Sequence, residues 1–498
     1  MSLSGRIRTS VVTALVTGVG ALFAAGCGLL GTASPAAASS HLQSMFEDST
    51  IEGPNPVDLQ DELQTLRYMG VDVLRVGVGW ASFTPNANLS VKPPLFNASD
   101  PNAYDWGWLR TFVDEAHKFG IGVDLLISGN APMWASGDPT GTPDGLGSPF
   151  EPNAADFGQF VHAVGAEFPT VHFFELWNEA NWGPGLTPQS TSGAPPAAKY
   201  YRGLANAGYN ALTSTGHGHD TISIGNLSQD PGGSGTTGTS APLTFMKAVY
   251  CLSNSYKPLT GSAASALGCS GSRSGFAAAN PGLFNVSGVG IHPYPYGNPP
   301  TKTLFPNPNG AEFGEIPQMI RSLDKMQRAY GSHKHMAIFN TEYGYRTRPN
   351  DTIPYIANPQ KAARYINEAE YMSYKNPRIG TYEQYLMFDP IFNKATNTGW
   401  FRTGLFFAPH TKACSGTFPC PKPSFYSYRV PVWLPVTNAK HGHALEVWGG
   451  VRAARYARTD TGKAQSVQVQ FARRGSGKYK TIKTIKLTNK YGYFDTHI

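Results

Sequence analysis

Cysteine and charge are both scarce in this chain. Of 498 residues, 5 are Cys and 15% are Asp, Glu, Lys or Arg. No CxxC pair occurs and the 13 histidines are scattered, so the spacing of a zinc framework is missing. No sustained heptad pattern is present, nor a repeat with a period of about 20–50 residues, which argues against a long coiled coil or a solenoid. Beyond the N-terminal stretch no run is apolar enough to span a bilayer. What the chain has instead is 55 Gly, 39 Pro and 12% aromatics, the composition of a folded, loop-rich protein rather than a disordered one. Its length allows a large core and two or more domains.

The first residues read as an export signal, 1–38. Arg6 and Arg8 precede a small, apolar run from Val11 to Leu30, and Ala36-Ala37-Ala38 offers a small-residue cleavage site. Cys27 after Ala25-Gly26 is a poorer match to lipoprotein processing, because Ala24 stands where a larger aliphatic residue usually opens such a site. A secreted chain is expected, with no membrane span once the signal is removed. Four cysteines then remain, and their even number in an exported protein suggests disulfides. Three connectivities are open; short-range pairing of Cys251 with Cys269 and Cys414 with Cys420 is the simplest.

Strand-like and helix-like segments alternate from Gln43 onward. Strands are expected at Gln43–Asp48, Val71–Trp80, Ile121–Ile127, Val171–Trp177, Thr221–Gly225, Val286–His292, Met336–Thr341 and Ile379–Phe388. Helical spacing falls between them, as at Leu59, Leu63 and Leu66 in Asp58–Met69, which Gly70 stops. A short last helix is expected at Ser424–Val430. Eight such units over 39–436 predict a (β/α)8 barrel. Long loops at Ser228–Ser240 and Thr260–Ala279 are insertions near the fifth unit.

Two strand ends carry carboxylates in matching settings. Phe174-Glu175-Leu176-Trp177-Asn178-Glu179-Ala180-Asn181-Trp182 ends the fourth strand, and Ala337-Ile338-Phe339-Asn340-Thr341-Glu342-Tyr343-Gly344 ends the seventh. Glycoside cleavage needs two carboxyl groups flanking one bond, an acid and a nucleophile or base. WNEAN followed much later by NTEYG resembles the retaining glycoside hydrolases of clan A, families 5 and 39 in particular. That resemblance implies Glu179 as acid/base after strand four and Glu342 as nucleophile after strand seven. It also implies a supporting role for Arg75, for His292 and Tyr294 of the His-x-Tyr ending strand six, and an aromatic platform at Trp400. Asn178 is placed to reach a sugar hydroxyl. Glu175, inward-facing below Glu179, reads instead as a structural group that needs a buried partner, and Arg75 is the candidate.

Trp80, Trp134, Trp177 and Trp182 also stand at or just past strand ends, where rings suit the C–H faces of a sugar. The blander reading is that two or more of these, with Trp400, pack in loop cores. The eighth strand ends in Leu386-Met387-Phe388-Asp389, with no Trp where the resemblance expects one.

From 437 to 498 the pattern turns to alternating β, with Val467, Val469 and Phe471 in step and a Gly475-Ser476-Gly477 turn. The charge lies there too: residues from His441 onward hold eleven Lys and Arg against three acids, a balance of +8 in a chain of net +7. A separate small basic all-β domain without catalytic groups is expected, suited to anionic cell-wall polymers rather than nucleic acid. Together these readings predict a secreted retaining glycosidase acting on a poly- or oligosaccharide of plant or microbial cell walls, with no cofactor or metal. The alternative is a non-catalytic carbohydrate- or envelope-binding protein on the same barrel. A metal-dependent barrel hydrolase would want clustered His and Asp ligands at strand ends.

Overall fold

The computed structural model describes residues 39 and 41–498, apart from 54–58, 139–146, 191–192, 230–236, 270–271, 304–305, 348–356, 392, 394–398, 400, 412, 416–418, 441 and 474. The export signal with Cys27, the middle of the Ser228–Ser240 loop and Trp400 lie outside the described residues.

Eight parallel strands close into a barrel in chain order: β1 (Gln43–Glu47), β2 (Val73–Gly79), β3 (Gly122–Ser128), β4 (Phe173–Leu176), β5 (Thr221–Ser228), β6 (Gly288–His292), β7 (Ala337–Asn340) and β8 (Ile379–Tyr385). This is the expected barrel, with each unit where the alternation placed it. Helices cover the outside. In Leu59–Met69 the buried positions are Leu59, Leu63, Leu66 and Met69, one face at helical spacing. Gly70 ends that helix at φ +83°, and a Cβ there would stand 2.3 Å from the backbone of Arg452, so the site suits glycine on both counts.

The barrel interior changes character along its axis. Met45, Val73, Phe173 and Phe339 form a small apolar plug at the bottom, with the two Phe rings 5.1 Å apart. Two residues further along β2 and β4, the period-two step brings in Arg75 and Glu175. The mouth at the C-terminal strand ends is therefore polar while the floor is sealed.

The insertion near the fifth unit contains short helices Gly261–Ala266, Arg273–Ala279 and Pro281–Phe284. Cys251–Cys269 and Cys414–Cys420 are both bonded, as the short-range pairing expects. Past the barrel, β9 (Phe406–Phe407) pairs antiparallel with β10 (Cys420–Pro421), and the helix Pro423–Arg429 follows. Two antiparallel sheets follow: β12 (Glu446–Gly450) and β15 (Tyr493–His497) of the tail with β11 (Val432–Trp433), which precedes residue 437, and a hairpin of β13 (Ser466–Phe471) with β14 (Lys480–Lys486).

The tail departs from an all-β reading at one point: a helix, Ala454–Thr461, stands between β12 and β13 and ends at Gly462 with φ 69°. Trp448, Tyr456, Tyr491 and Tyr493 of the tail belong to the same buried apolar cluster as the barrel helices. Among the described residues no helix is long and apolar enough to cross a membrane.

Candidate active site

Arg75 organises the polar mouth. It is 1% exposed and holds Glu175 through Nε at 3.1 Å and Nη2 at 3.2 Å. Its Nη2 also donates to Asn178 Oδ1 at 3.0 Å, and Nη1 donates to Glu342 Oε1 at 3.0 Å and to Glu47. Glu175 thus has the partner its burial demands. Asn178, placed by sequence toward a sugar, has its carbonyl oxygen committed to Arg75.

Glu179 and Glu342 face each other across His292. The imidazole is fully buried, with Nδ1 2.9 Å from Glu179 Oε1 and Nε2 3.5 Å from Glu342 Oε1, beyond good hydrogen-bond geometry. Tyr294 donates its hydroxyl to Glu342 Oε2 at 3.1 Å. One oxygen of Glu179, one of Glu342 and a ring nitrogen of His292 lie within 4.8 Å of one another. Glu179 and Glu342 each leave 15% of the side chain open and Glu47 leaves 16%, so these three carboxylates face the pocket while Arg75 and His292 sit behind them.

The electrostatics follow from that layering. Burial alone would raise Glu342, but His292, Arg75 and the Tyr294 hydroxyl outweigh it and hold its pKa below the usual carboxylate value. Burial would lower His292, yet Glu342 and Glu179 outweigh it and push the imidazole up. Glu47 is pushed up to about 7 by burial, against the pull of Arg75. Below these groups Asp124 and Glu383 are fully buried, and burial, with neighbouring carboxylates adding to it, pushes both well above the usual carboxylate range against the pull of Arg75.

The tryptophans divide. Trp80 is 0% exposed and packs among Trp134, Phe157 and Phe160, because the helical turn Trp80–Phe83 begins at once and swings the indole into the helix layer. It is core, not a sugar platform. Trp177 is equally buried, its Nε1 donating to Gly185 O at 2.9 Å. Trp134 is half-buried and lines a cavity of about 480 Å³ with Glu151, Lys199 and Tyr200. Trp182 is 39% exposed.

The aromatic wall that is present went unread in the sequence. Tyr385 at the end of β8 and Phe401 beyond it pack edge-on to Tyr294, at 6.4 and 5.2 Å between centroids. Glu47, Tyr385 and Phe401 were missed. The inward period of β1, Met45 then Glu47, was the available signal for Glu47.

No family model matches this chain, and no curated protein matches it either. Solved structures do. A family 39 glycoside hydrolase from the gut symbiont Bacteroides cellulosilyticus WH2 superposes with TM-score 0.50 at 16% identity, over 92% of this chain and 79% of that one. A glucosidase from Croceicoccus marinus gives 0.47 at 10% identity over 92% and 84%. A β-glucosidase from Pyrococcus furiosus gives 0.43 at 14% over 74% and 82%. The family 39 structure shares the (β/α)8 fold with this chain across most of both lengths.

Proposed function

We propose that the chain is a retaining glycoside hydrolase that cleaves O-glycosidic bonds of a plant or microbial cell-wall polysaccharide. The observation that carries the reading is the separation of the two pocket-facing carboxylates, with oxygens within 4.8 Å. Retaining enzymes hold the two carboxyl groups ~5–5.5 Å apart and inverting ones ~6.5–9.5 Å, and a nearest-oxygen approach within 4.8 Å favours the closer arrangement.

In the first step a Glu342 oxygen attacks the anomeric carbon as the bond to the leaving oxygen breaks, and Glu179 gives that oxygen its proton. In the second, Glu179 takes a proton from water, whose oxygen displaces Glu342 and restores the free carboxylate. Arg75 and the Tyr294 hydroxyl hold one Glu342 oxygen each and keep it ionised before attack. The two carboxylates favour the protonated form of the buried His292 imidazole against the effect of its burial. His292 Nδ1 lies 2.9 Å from Glu179 Oε1 and orients that carboxyl group. Tyr385 and Phe401 supply apolar surface beside the nucleophile, and Trp134 and Trp182 are proposed for more distant sugar units.

Proton NMR of fresh product from a soluble glycoside is the test: the anomer first formed should match the substrate, and an inverted product excludes double displacement. The clustering of Glu179, His292 and Glu342 would also suit a divalent cation, the donor set of a metal-assisted hydrolase. Activity unchanged by EDTA supports the two-carboxylate reading, and loss restored by added metal supports the other.

Export is proposed with it, supported by two disulfides of the kind that persist in oxidising compartments. N-terminal sequencing of protein from a secreting host should begin at Ser39.

A further inference from the structure

A residue outside both sequence motifs stands between them. Asn226 lies in β5 where the register with β6 shifts between Ile224 and Leu227, a bulge of the kind that re-aims a side chain. Its φ is +43°, in the left-handed region that asparagine tolerates better than most residues. Two residues of the β4 turn share that unusual conformation, Trp177 at φ 74° and Glu179 at φ 44°. For a bulky residue such a backbone persists only when its surroundings hold it. Asn226 does so twice, donating Nδ2 to Trp177 O at 2.8 Å and accepting the Glu179 amide on its own carbonyl at 2.8 Å.

The other side of Asn226 faces the remaining site elements. Thr341, next to Glu342, points its hydroxyl at Asn226 Oδ1 at 3.4 Å. A Cβ on Gly290, two residues before His292, would fall 1.6 Å from the same Oδ1. Glycine at 290 thus clears the space that Asn226 occupies, and the side chain is 0% exposed.

We propose that Asn226 is a positioning residue that sets the placement of Glu179 relative to His292 and Glu342, and that Gly290 is small in order to admit it. The inference rests on Glu179 being the acid/base. Removing Nδ2 frees the Trp177–Glu179 turn, so proton donation weakens while attack by Glu342 is largely spared.

The test is kcat for Asn226→Ala, Asn226→Asp and Gly290→Ala on a pair of glycosides, one with a poor alkyl leaving group and one with dinitrophenolate. Each variant should lose roughly 100-fold on the poor leaving group and less than about tenfold on the activated one, the selectivity expected when general-acid catalysis is impaired. Asn226→Asp keeps the shape but not the donor and should not rescue. Gly290→Ala added to Asn226→Ala should cost little further, since the group it collides with is gone.

Equal losses on both substrates, or a Gly290→Ala cost undiminished in the Asn226→Ala background, would overturn the proposal. Glu179→Ala run alongside separates the two readings. If it shows no leaving-group selectivity the acid/base assignment fails, whereas selectivity there and none in Asn226→Ala sinks only the positioning role. The His292 titration followed by NMR needs no turnover: it should move in Asn226→Ala as the Glu179 contact loosens, and an unchanged titration counts against the proposal.

Discussion

Arg75 shows why single residues here are hard to replace. One guanidinium neutralises Glu175 and touches Glu342, Glu47 and Asn178, all in a region closed to water on one side. Its removal would leave Glu175 as an uncompensated buried charge, a loss of about 3–5 kcal/mol where a buried pair is broken. Arg75→Lys cannot restore the two-pronged contact and is expected to fold less stably and turn over poorly; urea denaturation alongside kcat checks both. Glu342→Gln keeps the shape of the site but lacks a nucleophile, so turnover should vanish while ligand binding by calorimetry survives. Glu179→Ala should lose ~100-fold or more on natural glycosides, less on activated aryl ones, and azide should rescue it with a product of retained configuration. Because Glu342 is held below the usual carboxylate pKa, the acid limb of kcat/KM is expected below pH ~4.5, and a limb near 6 would contradict the role given to Arg75 and His292.

At the scale of elements, the disulfides give the cleanest expectation. Cys251–Cys269 closes a loop of separation 18 that contains the helix Gly261–Ala266, and Arg202 donates across it to Val249 O and Gly268 O. Replacing both cysteines by serine should cost about 3 kcal/mol, the loop-closure value for this length, with kcat unchanged. A parallel fall in kcat would mean the insertion reaches the site.

The barrel itself was legible because each unit repeats a local pattern, an apolar strand followed by a helix with one apolar face, stopped by glycine as at Gly70 and Gly120. Glu179 and Glu342 were legible because each ends such a strand in a recognisable motif. Contacts set by distant pairing were not. The Arg75–Glu47 contact depends on the closure of β1 against β2, and Phe401 arrives from a loop beyond β8. Trp80 misled because a strand-end indole looks open until the next helical turn is known to begin on it. The helix Ala454–Thr461 hid in a basic segment whose apolar content is low, although Gly462 at its end was a readable stop.

Over the whole molecule, buried acids set the pH response. Burial pushes Glu47 and Glu370 up to about 7, Glu52 to about 8 and Glu62 to about 9, from 4.5. The folded chain therefore keeps protons that the unfolded chain has released above pH 4.5, and stability falls as pH climbs from there toward 9. His292, also raised, adds in the same direction. Glu342 and Asp324, both lowered, lose their contribution only under more acidic conditions. Melting temperature is expected to peak near pH ~5 and to decline by pH 8.

The tail's relation to the barrel can be tested in the same way. We propose 437–498 as a domain by chain order, yet its inner face is built into the barrel's outer layer. Arg452 Nη2 lies 2.7 Å from Glu370 Oε2, the two side chains 2% and 1% exposed, and Tyr493 donates to the other Glu370 oxygen at 2.8 Å. Arg455 reaches Asp72 at 2.6 Å, and Trp448 packs against Tyr371, Tyr374 and Tyr493. Deleting 437–498 would strand Glu370 and expose those rings, so the truncated barrel is expected to melt at lower temperature or aggregate, even though none of the site contacts described above comes from a described tail residue.

Arg452→Met, which keeps the stem and removes the charge, isolates the electrostatic part and should cost about 3–5 kcal/mol. The exposed hairpin β13–β14, by contrast, carries Lys480 and Lys486 outward, whereas Lys483 lies on the other face and donates to Thr496 Oγ1 and His497 O of β15. Charge reversal at Lys480 and Lys486 should leave melting nearly unchanged while weakening salt-sensitive retention on anionic wall polymer. Retention that is equal at low and high salt in the wild type would reassign those lysines to protecting an exposed edge from strand pairing.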